Sequence, residues 1–451
     1  MRPDDIASAA IRAARAAGAD HAEAFVSRSR SLSAYVDDSR VKSMEEKSDL
    51  GVAVRVMVGG KVGQSSSFAS TPRQAEACAR AAVASAAALP KDDVFKGFAW
   101  PAKEQHRVKA KATEMDGLTA ERLAEVLKQV VGTAVDGSVK VPNGILRAGE
   151  LESVVANTND LLTRREASLV HLHITAMTDD ASPGEGVEVF SSPYLKDLDG
   201  QEVGRSLRAK AKASADAKAY KGNERLPVIF PPEELSEMLQ GSVQFALSAE
   251  NVYRKRSPLA SRMGKQVTAR CLTVTDDPSD RRGMLSSSFD DEGTPTKRKP
   301  LIKEGVLKGF LYDLYNAHLS DTQPTGNGLR RSPADTVGNY QIPVGISPVC
   351  LVVKPGQKSV EDLIGETERG LLLEKTASPE VHPITGAFGL EVRCAHLIEK
   401  GEMAGTIRHC LLSGNMFAAL GQIGAVARDA TVSRNLILPS IRFEDLELIG
   451  G

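Results

Sequence analysis

The sequence predicts an α+β protein in three parts: a small N-terminal α/β domain over residues 1–110, a middle α+β domain over 111–222, and a large antiparallel β-rich, barrel-like domain over 223–451. Three observations carry this. The chain has 451 residues, and at about 150 residues per domain that is two or three units. Up to residue 222, alanine-rich stretches with helical periodicity alternate with period-two runs. Beyond residue 253, short β-like runs recur between Gly, Pro and Asp turns, the pattern of a large sheet or barrel.

The elements follow in order. Asp4 or Asp5 is placed to cap a helix that runs to about Ala17 and stops at Gly18. Its small-residue face (Ile6, Ala9, Ala10, Ala13, Ala17) predicts close packing on a sheet. Alternation then puts Ala22, Ala24 and Val26 on one strand face, and afterwards Leu32, Ala34 and Val36. A valine-rich run over 50–58 turns at Gly59-Gly60 into Lys61-Val62-Gly63. Thr71-Pro72-Arg73-Gln74 has the form of a capping box with proline at the first helical position, and its helix should end before Pro90. Residues 90–115 carry Lys, Pro and Glu without periodicity and read as an extended connector. A helix over 119–135 buries Leu123, Val126, Leu127, Val130 and Val131. Strand-like runs follow at 144–150, 151–157 and 166–177, then a helix over 195–220 ended by Gly222. The final part opens with a helical stretch over 233–253. It continues with β-like runs at 270–275, 305–311, 349–353, 389–399 and 403–410, and a helix at 413–426. No internal repeat is visible in the residues.

Composition excludes some functions. The net charge is −1, from 57 basic and 58 acidic residues, so bulk electrostatics offer nothing to a nucleic acid or an anionic membrane. Aromatics are 4% with a single Trp, too few for a base-stacking channel. Five scattered cysteines without CxxC spacing suit a reducing compartment, and no apolar run reaches membrane length, so a cytoplasmic protein is expected.

The chemistry-bearing residues are sparse. No histidine pair has HExxH spacing. His171 and His173 share one face of a strand, but a zinc site needs at least a third ligand that the sequence does not nominate. There is no G-x-S-x-G elbow. Cys394 and His396 could share a strand face, yet a buried thiol in a sheet is commoner than a nucleophile. Gly59-Gly60-Lys61 lacks P-loop spacing. Asp179-Asp180, Asp276-Asp277 and Asp290-Asp291-Glu292 could offer oxygen to a divalent cation, although each adjoins turn residues where Asp is ordinary.

The C-terminal half carries a series of motifs in fixed order. They are Leu272-Thr273-Val274-Thr275-Asp276-Asp277-Pro278, Phe289-Asp290-Asp291-Glu292-Gly293-Thr294-Pro295-Thr296, Leu301-Ile302-Lys303-Glu304-Gly305-Val306-Leu307, Gln323-Pro324-Thr325-Gly326-Asn327-Gly328, Pro355-Gly356 and Ile384-Thr385-Gly386-Ala387-Phe388. Together with Gly18-Ala19-Asp20-His21-Ala22-Glu23-Ala24 and Leu50-Gly51-Val52-Ala53-Val54-Arg55-Val56, this series resembles the TldD/PmbA (TldD/TldE) family.

The resemblance implies a three-part chain and a cytoplasmic peptidase complex with two kinds of subunit. One kind carries HExxxH on the first helix of the last domain and a cysteine near the C-terminus, which together bind a catalytic metal. Here Gln240 stands where the first His would be, Gly241 where the Glu would be, and Phe245 where the second His would be; no cysteine follows Cys410. Amides are poor zinc donors, and without the Glu there is no general base at that place. The resemblance therefore implies the metal-free TldE/PmbA kind, with no catalytic residue and no cofactor of its own, and with zinc in a TldD-type partner. The expected partners are that subunit, or a second copy of this chain, and an extended peptide. Asp290, Glu292, Gly293, Pro324, Thr325, Gly326 and Asn327 are the candidates for cavity wall or interface. A stand-alone homodimeric regulator of the gyrase-modulator type is the alternative. An independent hydrolase using Cys394 or a His171/His173 metal is the third reading.

Overall fold

The computed structural model describes residues 2–102, 108, 111–180, 182–331 and 339–451. The remaining residues, which include His106 and part of the expected connector, lie outside the described set. The α+β class and the barrel-like last part are both observed.

Helix α1 spans Pro3–Ala16. It starts earlier than its acidic pair suggests. Arg2 is the N-cap, and Asp5 sits at the third helical position, its carboxylate accepting the Arg2 amide. Gly18 follows at φ +97°, a value that favours glycine. Strands β1 (His21–Asp37), β2 (Arg40–Val58) and β3 (Lys61–Phe68) form a meander, and α2 (Pro72–Ala87) closes it. The Thr71–Gln74 capping box forms as the sequence predicts. After the connector the same order returns: α3 (Ala120–Ala134), β4 (Val139–Asn157), β5 (Leu162–Thr178), β6 (Glu185–Ser192) and α4 (Gly200–Ala215).

Three readings change here. The runs at 144–150 and 151–157 are one strand, because Glu150 and Leu151 pair in unbroken register with Arg30 and Ser29 of β1. The helix expected over 195–220 is shorter: Leu195–Asp197 is a 3-10 turn, and Asp199 caps the helix through the Gln201 and Glu202 amides. And the fold does repeat. It holds two αβββα units whose side chains share too little for a repeat to be legible.

The two units make one six-stranded sheet, in the order β3-β2-β1-β4-β5-β6. β1 and β4 pair antiparallel from Glu23↔Asn157 to Asp37↔Asn143, so an approximate twofold axis normal to the sheet relates the halves. All four helices cover one face. Ala22, Ala24, Val26, Val54 and Val154 meet α1 and α2. Leu32, Ala34, Leu146, Leu172 and Ile174 meet α3 and α4. Glycine makes the same fit at both edges. A Cβ at Gly63 would lie 2.4 Å from Ala82 O and Ala86 N; one at Gly186 would lie 2.4 Å from Leu207 O and 2.7 Å from Ala211 N. Each outer strand is thus clamped directly under a helix backbone.

The last part opens with a strand, Asn223–Phe230, and helix α5 (Pro232–Leu239). Five strands (Arg369–Thr376, Asn223–Phe230, Ile441–Gly450, Cys410–Asn415 and Ala387–Glu399) pair in that order, and the last pairs back to the first, closing a barrel. Its core includes Val228, Phe230, Leu371, Leu373, Leu390, Leu412 and Phe443. The barrel is not wholly antiparallel, since Asn223–Phe230 and Arg369–Thr376 run parallel. The helix expected over 413–426 is only Met416–Gly421, between strands Cys410–Asn415 and Ile423–Val426. Of 305–311, only Val306–Leu307 is strand. Among the described residues no helix is long and apolar enough to cross a membrane.

Candidate functional site

The helix-free face of the six-stranded sheet turns toward the last part of the chain. Odd-numbered residues of β1, β2, β4 and β5 point to it, by the two-residue strand period. Cross-strand register arranges them in rows: Asp49–Ser29–Leu151–Ala167, Lys47–Ser31–Gly149–Leu169, and Glu45–Ser33–Arg147–His171. These rows floor a cavity of about 440 Å³, walled on the far side by Met284, Leu285, Asn339 and Arg434. The size falls in the range of ligand pockets. Arg147 Nε donates to Ser33 Oγ at 3.2 Å, and His171 Nδ1 lies 3.1 Å from Ser191 Oγ.

Burial, with His173, Arg147 and Arg434 nearby, pulls His171 down to about 4 from its ordinary 6.5. His173 is also lowered, by burial and then by Lys375. Both imidazoles are neutral at pH 7. His171 protonates in the unfolded chain below pH 6.5, but in the folded chain only near pH 4, so acidification over that window favours unfolding. Expected result: stability declines between pH 6.5 and 4, and His171→Gln flattens part of that decline in thermal melts. An unchanged pH profile would remove His171 as the cause.

Beside the cavity, the first helix of the last part changes its winding. After α5, Gln240–Gln244 form a π-turn, and Phe245–Leu247 resume the α form. Residues five apart lie about 140° round an α-helix, whereas a π-turn bonds i to i+5 and brings them together. The backbone therefore juxtaposes positions 240 and 245. Gln240 Nε2 donates to Asn435 Oδ1 at 3.1 Å, and the neighbouring Arg434 reaches both the cavity and Glu237, at 2.6 Å. Gln244 Nε2 donates to Ser347 Oγ at 3.3 Å. A Cβ at Gly241 would meet nothing closer than 3.4 Å, so a longer side chain has room at its root. The amides, glycine and phenyl ring at this turn do not suit zinc. Among the described residues, no three His, Cys, Asp or Glu side chains gather to hold a metal ion.

The seven loop candidates lie elsewhere, and none lines the cavity. Asp290 and Glu292 are fully buried. Asp290 accepts the amides of Glu292, Thr294 and Gly328 at 2.9–3.0 Å. Glu292 accepts Arg55 Nη2 and the Leu314 amide, both at 2.8 Å. Arg55 in turn forks onto Glu23 at 2.8 and 3.0 Å. Asp291 takes Arg165 Nη2 and the Arg330 amide, each at 2.7 Å. Gly293 holds φ +79° against Leu161. Thr325 donates to Asn327 Oδ1 at 2.7 Å, Gly326 turns at φ +73°, and Asn327 Nδ2 reaches Asp276 Oδ2 at 2.8 Å. Pro324 is half-buried at the start of this turn. These loops form a buried electrostatic clasp between the sheet and the last part. Burial drives Asp290 and Glu23 upward, each helped by Glu292. For Arg55, burial pulls downward, but Glu23 and Glu292 reverse it and the net shift is upward.

The other candidates are also accounted for. Burial, then Glu374, pushes the Cys394 thiol up to about 12, far from a thiolate at neutral pH. His396 bonds Thr406 Oγ1 at 3.2 Å and lies 3.4 Å from Glu374. Asp179 pairs with Lys140, and Asp276 with Lys299, both at 2.9 Å. Of the cavity floor, sequence reasoning singled out only His171 and missed the serines. Their signal was present in Ser27-Arg28-Ser29-Arg30-Ser31-Leu32-Ser33, where serine recurs at every second residue.

Comparison with known proteins agrees with this architecture. The family model described as the PmbA/TldA metallopeptidase C-terminal domain matches residues 223–450, and the one described as domain 1 of the same metallopeptidases matches 22–86. An uncharacterized protein of Methanocaldococcus jannaschii is 27% identical over 94% of this chain and 95% of its own length. A metalloprotease TldD homolog of Haemophilus influenzae is 26% identical over 90% of this chain and 85% of its own. The crystal structure of TldE from Thermococcus kodakarensis superposes with a TM-score of 0.91, covering 99% of this chain and 100% of that one at 24% identity, a likeness of fold.

Proposed function

Because the chain belongs to the PmbA/TldD family of metallopeptidases, we propose that it is the metal-free subunit of a two-subunit peptidase acting on unfolded or extended peptides in the cytoplasm. The observation that carries this reading is the π-turn. The backbone at 240–245 keeps a winding that would bring two side chains five apart onto one cation, yet it presents Gln240, Gly241 and Phe245. With neither imidazole nor carboxylate there, this chain neither holds zinc nor activates water at that place. The partner, a TldD-type subunit, supplies both. This chain contributes a peptide-sized cavity whose Arg434 wall adjoins Gln240 through Asn435.

The test is direct. The purified chain is mixed with a TldD-type protein from the same source, and size-exclusion elution and cleavage of an unstructured peptide are followed. Co-elution, with cleavage well above that of either protein alone, is expected. If the chain elutes only with itself and adds nothing to cleavage, the homodimeric regulator replaces this reading.

A further inference from the structure

We propose that the cavity floor grips an extended peptide by its main chain, through the ladder of serine hydroxyls on β1. This deepens the peptide reading given above and rests on it. Ser27, Ser29, Ser31 and Ser33 line the cavity in succession along one strand. Their spacing, two residues of strand, is about 6.6–6.8 Å. An extended peptide laid along β1 repeats its N–H and C=O groups on one edge with the same spacing, so several hydroxyls can be engaged at once. A hydroxyl both donates and accepts, so the ladder serves carbonyl and amide alike and reads no side chain.

Two further observations favour a ligand. Among the described residues, the Ser27, Ser29 and Ser31 hydroxyls have no hydrogen-bond partner, and Ser153, opposite Ser27, has a buried hydroxyl with none. A buried hydroxyl such as that of Ser153 costs stability unless something satisfies it, while the three cavity-lining hydroxyls are left open to a ligand. Serine is also not a favoured strand former, so four on one face of a long strand serve the fold poorly. The floor carries Lys47 and Arg147 beside Glu45 and Asp49, a mixture with no net demand on the charge of the peptide. Gly149, opposite Ser31, leaves the middle of the floor low. Recognition is therefore from the sheet face, not by addition of a strand to a sheet edge.

The test uses the full chain and a fluorescein-labelled heptapeptide of alternating alanine and threonine, read by anisotropy. The triple variant Ser27→Ala, Ser29→Ala, Ser31→Ala should bind at least about tenfold more weakly, with its melting temperature unchanged or raised. N-methylation of every second peptide amide should weaken binding to the unaltered chain by a similar factor, and exchanging the peptide's side chains should not. Equal binding by the triple variant, equal binding of the methylated peptide, or no binding by the unaltered chain would overturn the proposal. Co-elution of the triple variant with the TldD-type protein is scored separately, so the subunit reading can stand where the ladder fails.

Discussion

Replacing Arg55 with methionine is expected to cost about 3–5 kcal/mol of stability, the loss seen when one partner of a buried ion pair is removed. Arg55 joins two carboxylates that have no access to solvent, Glu23 from β1 and Glu292 from the Asp290–Thr296 loop. Without the guanidinium, both must be neutralised or exposed. Arg330 offers little compensation. It lies 3.8 Å from Glu23, and burial with the neighbouring Arg55 already pulls it down to about 10. Methionine conserves most of the volume, so lost packing against Phe98 is minor. The measurement is the urea midpoint of the variant against that of the unaltered chain. Adding Glu23→Gln and Glu292→Gln to the same variant should recover part of the loss. A cost below about 1 kcal/mol would put the site in the class of exposed pairs and refute the clasp.

Gly328→Ala is expected to strike the same clasp from its other side, at about 1–3 kcal/mol or more. An added Cβ would lie 2.1 Å from Glu292 Oε2. Glu292 has no free direction to move, since its two oxygens hold Arg55 and the Leu314 amide. The Gly328 amide itself donates to Asp290 Oδ2 at 2.9 Å, so the backbone cannot retreat without losing that bond. The effect should be much less than additive with Arg55→Met, because both act through one carboxylate. Full additivity in denaturation would mean that the clash is relieved elsewhere.

Much of the fold was legible because local chemistry and tertiary packing agree. Thr71, Pro72 and Gln74 fix the start of α2 without outside help, and the even-numbered apolar residues of β1 announce a face that two helix pairs then cover. The failures arose where long-range pairing decides. Residues 144–150 and 151–157 read as two runs until β1 lies beside both, and 413–426 reads as one helix until Ile423–Val426 is paired to Ile441–Phe443. The motif loops pointed to the family's architecture but not to their own role in it. Glu292, Asp290 and Asn327 resemble site residues in sequence, and only their partners at 237, 38 and 51 residues' separation (Arg55, Gly328 and Asp276) reveal a clasp. The serine floor was overlooked because a polar residue at every second place looks like an ordinary solvated strand face until the sheet is covered.

The antiparallel join of β1 to β4 has a bearing on how the chain can be divided. A piece ending at the connector would leave β1 with its pairing side bare from Glu23 to Asp37. Since the two halves are near-equivalent about that join, the missing surface is one that another molecule of the same piece presents. Such a fragment should self-associate in light scattering, as an isologous pair mimicking the intact molecule, and cutting between the halves would then yield dimers, not a free-standing module.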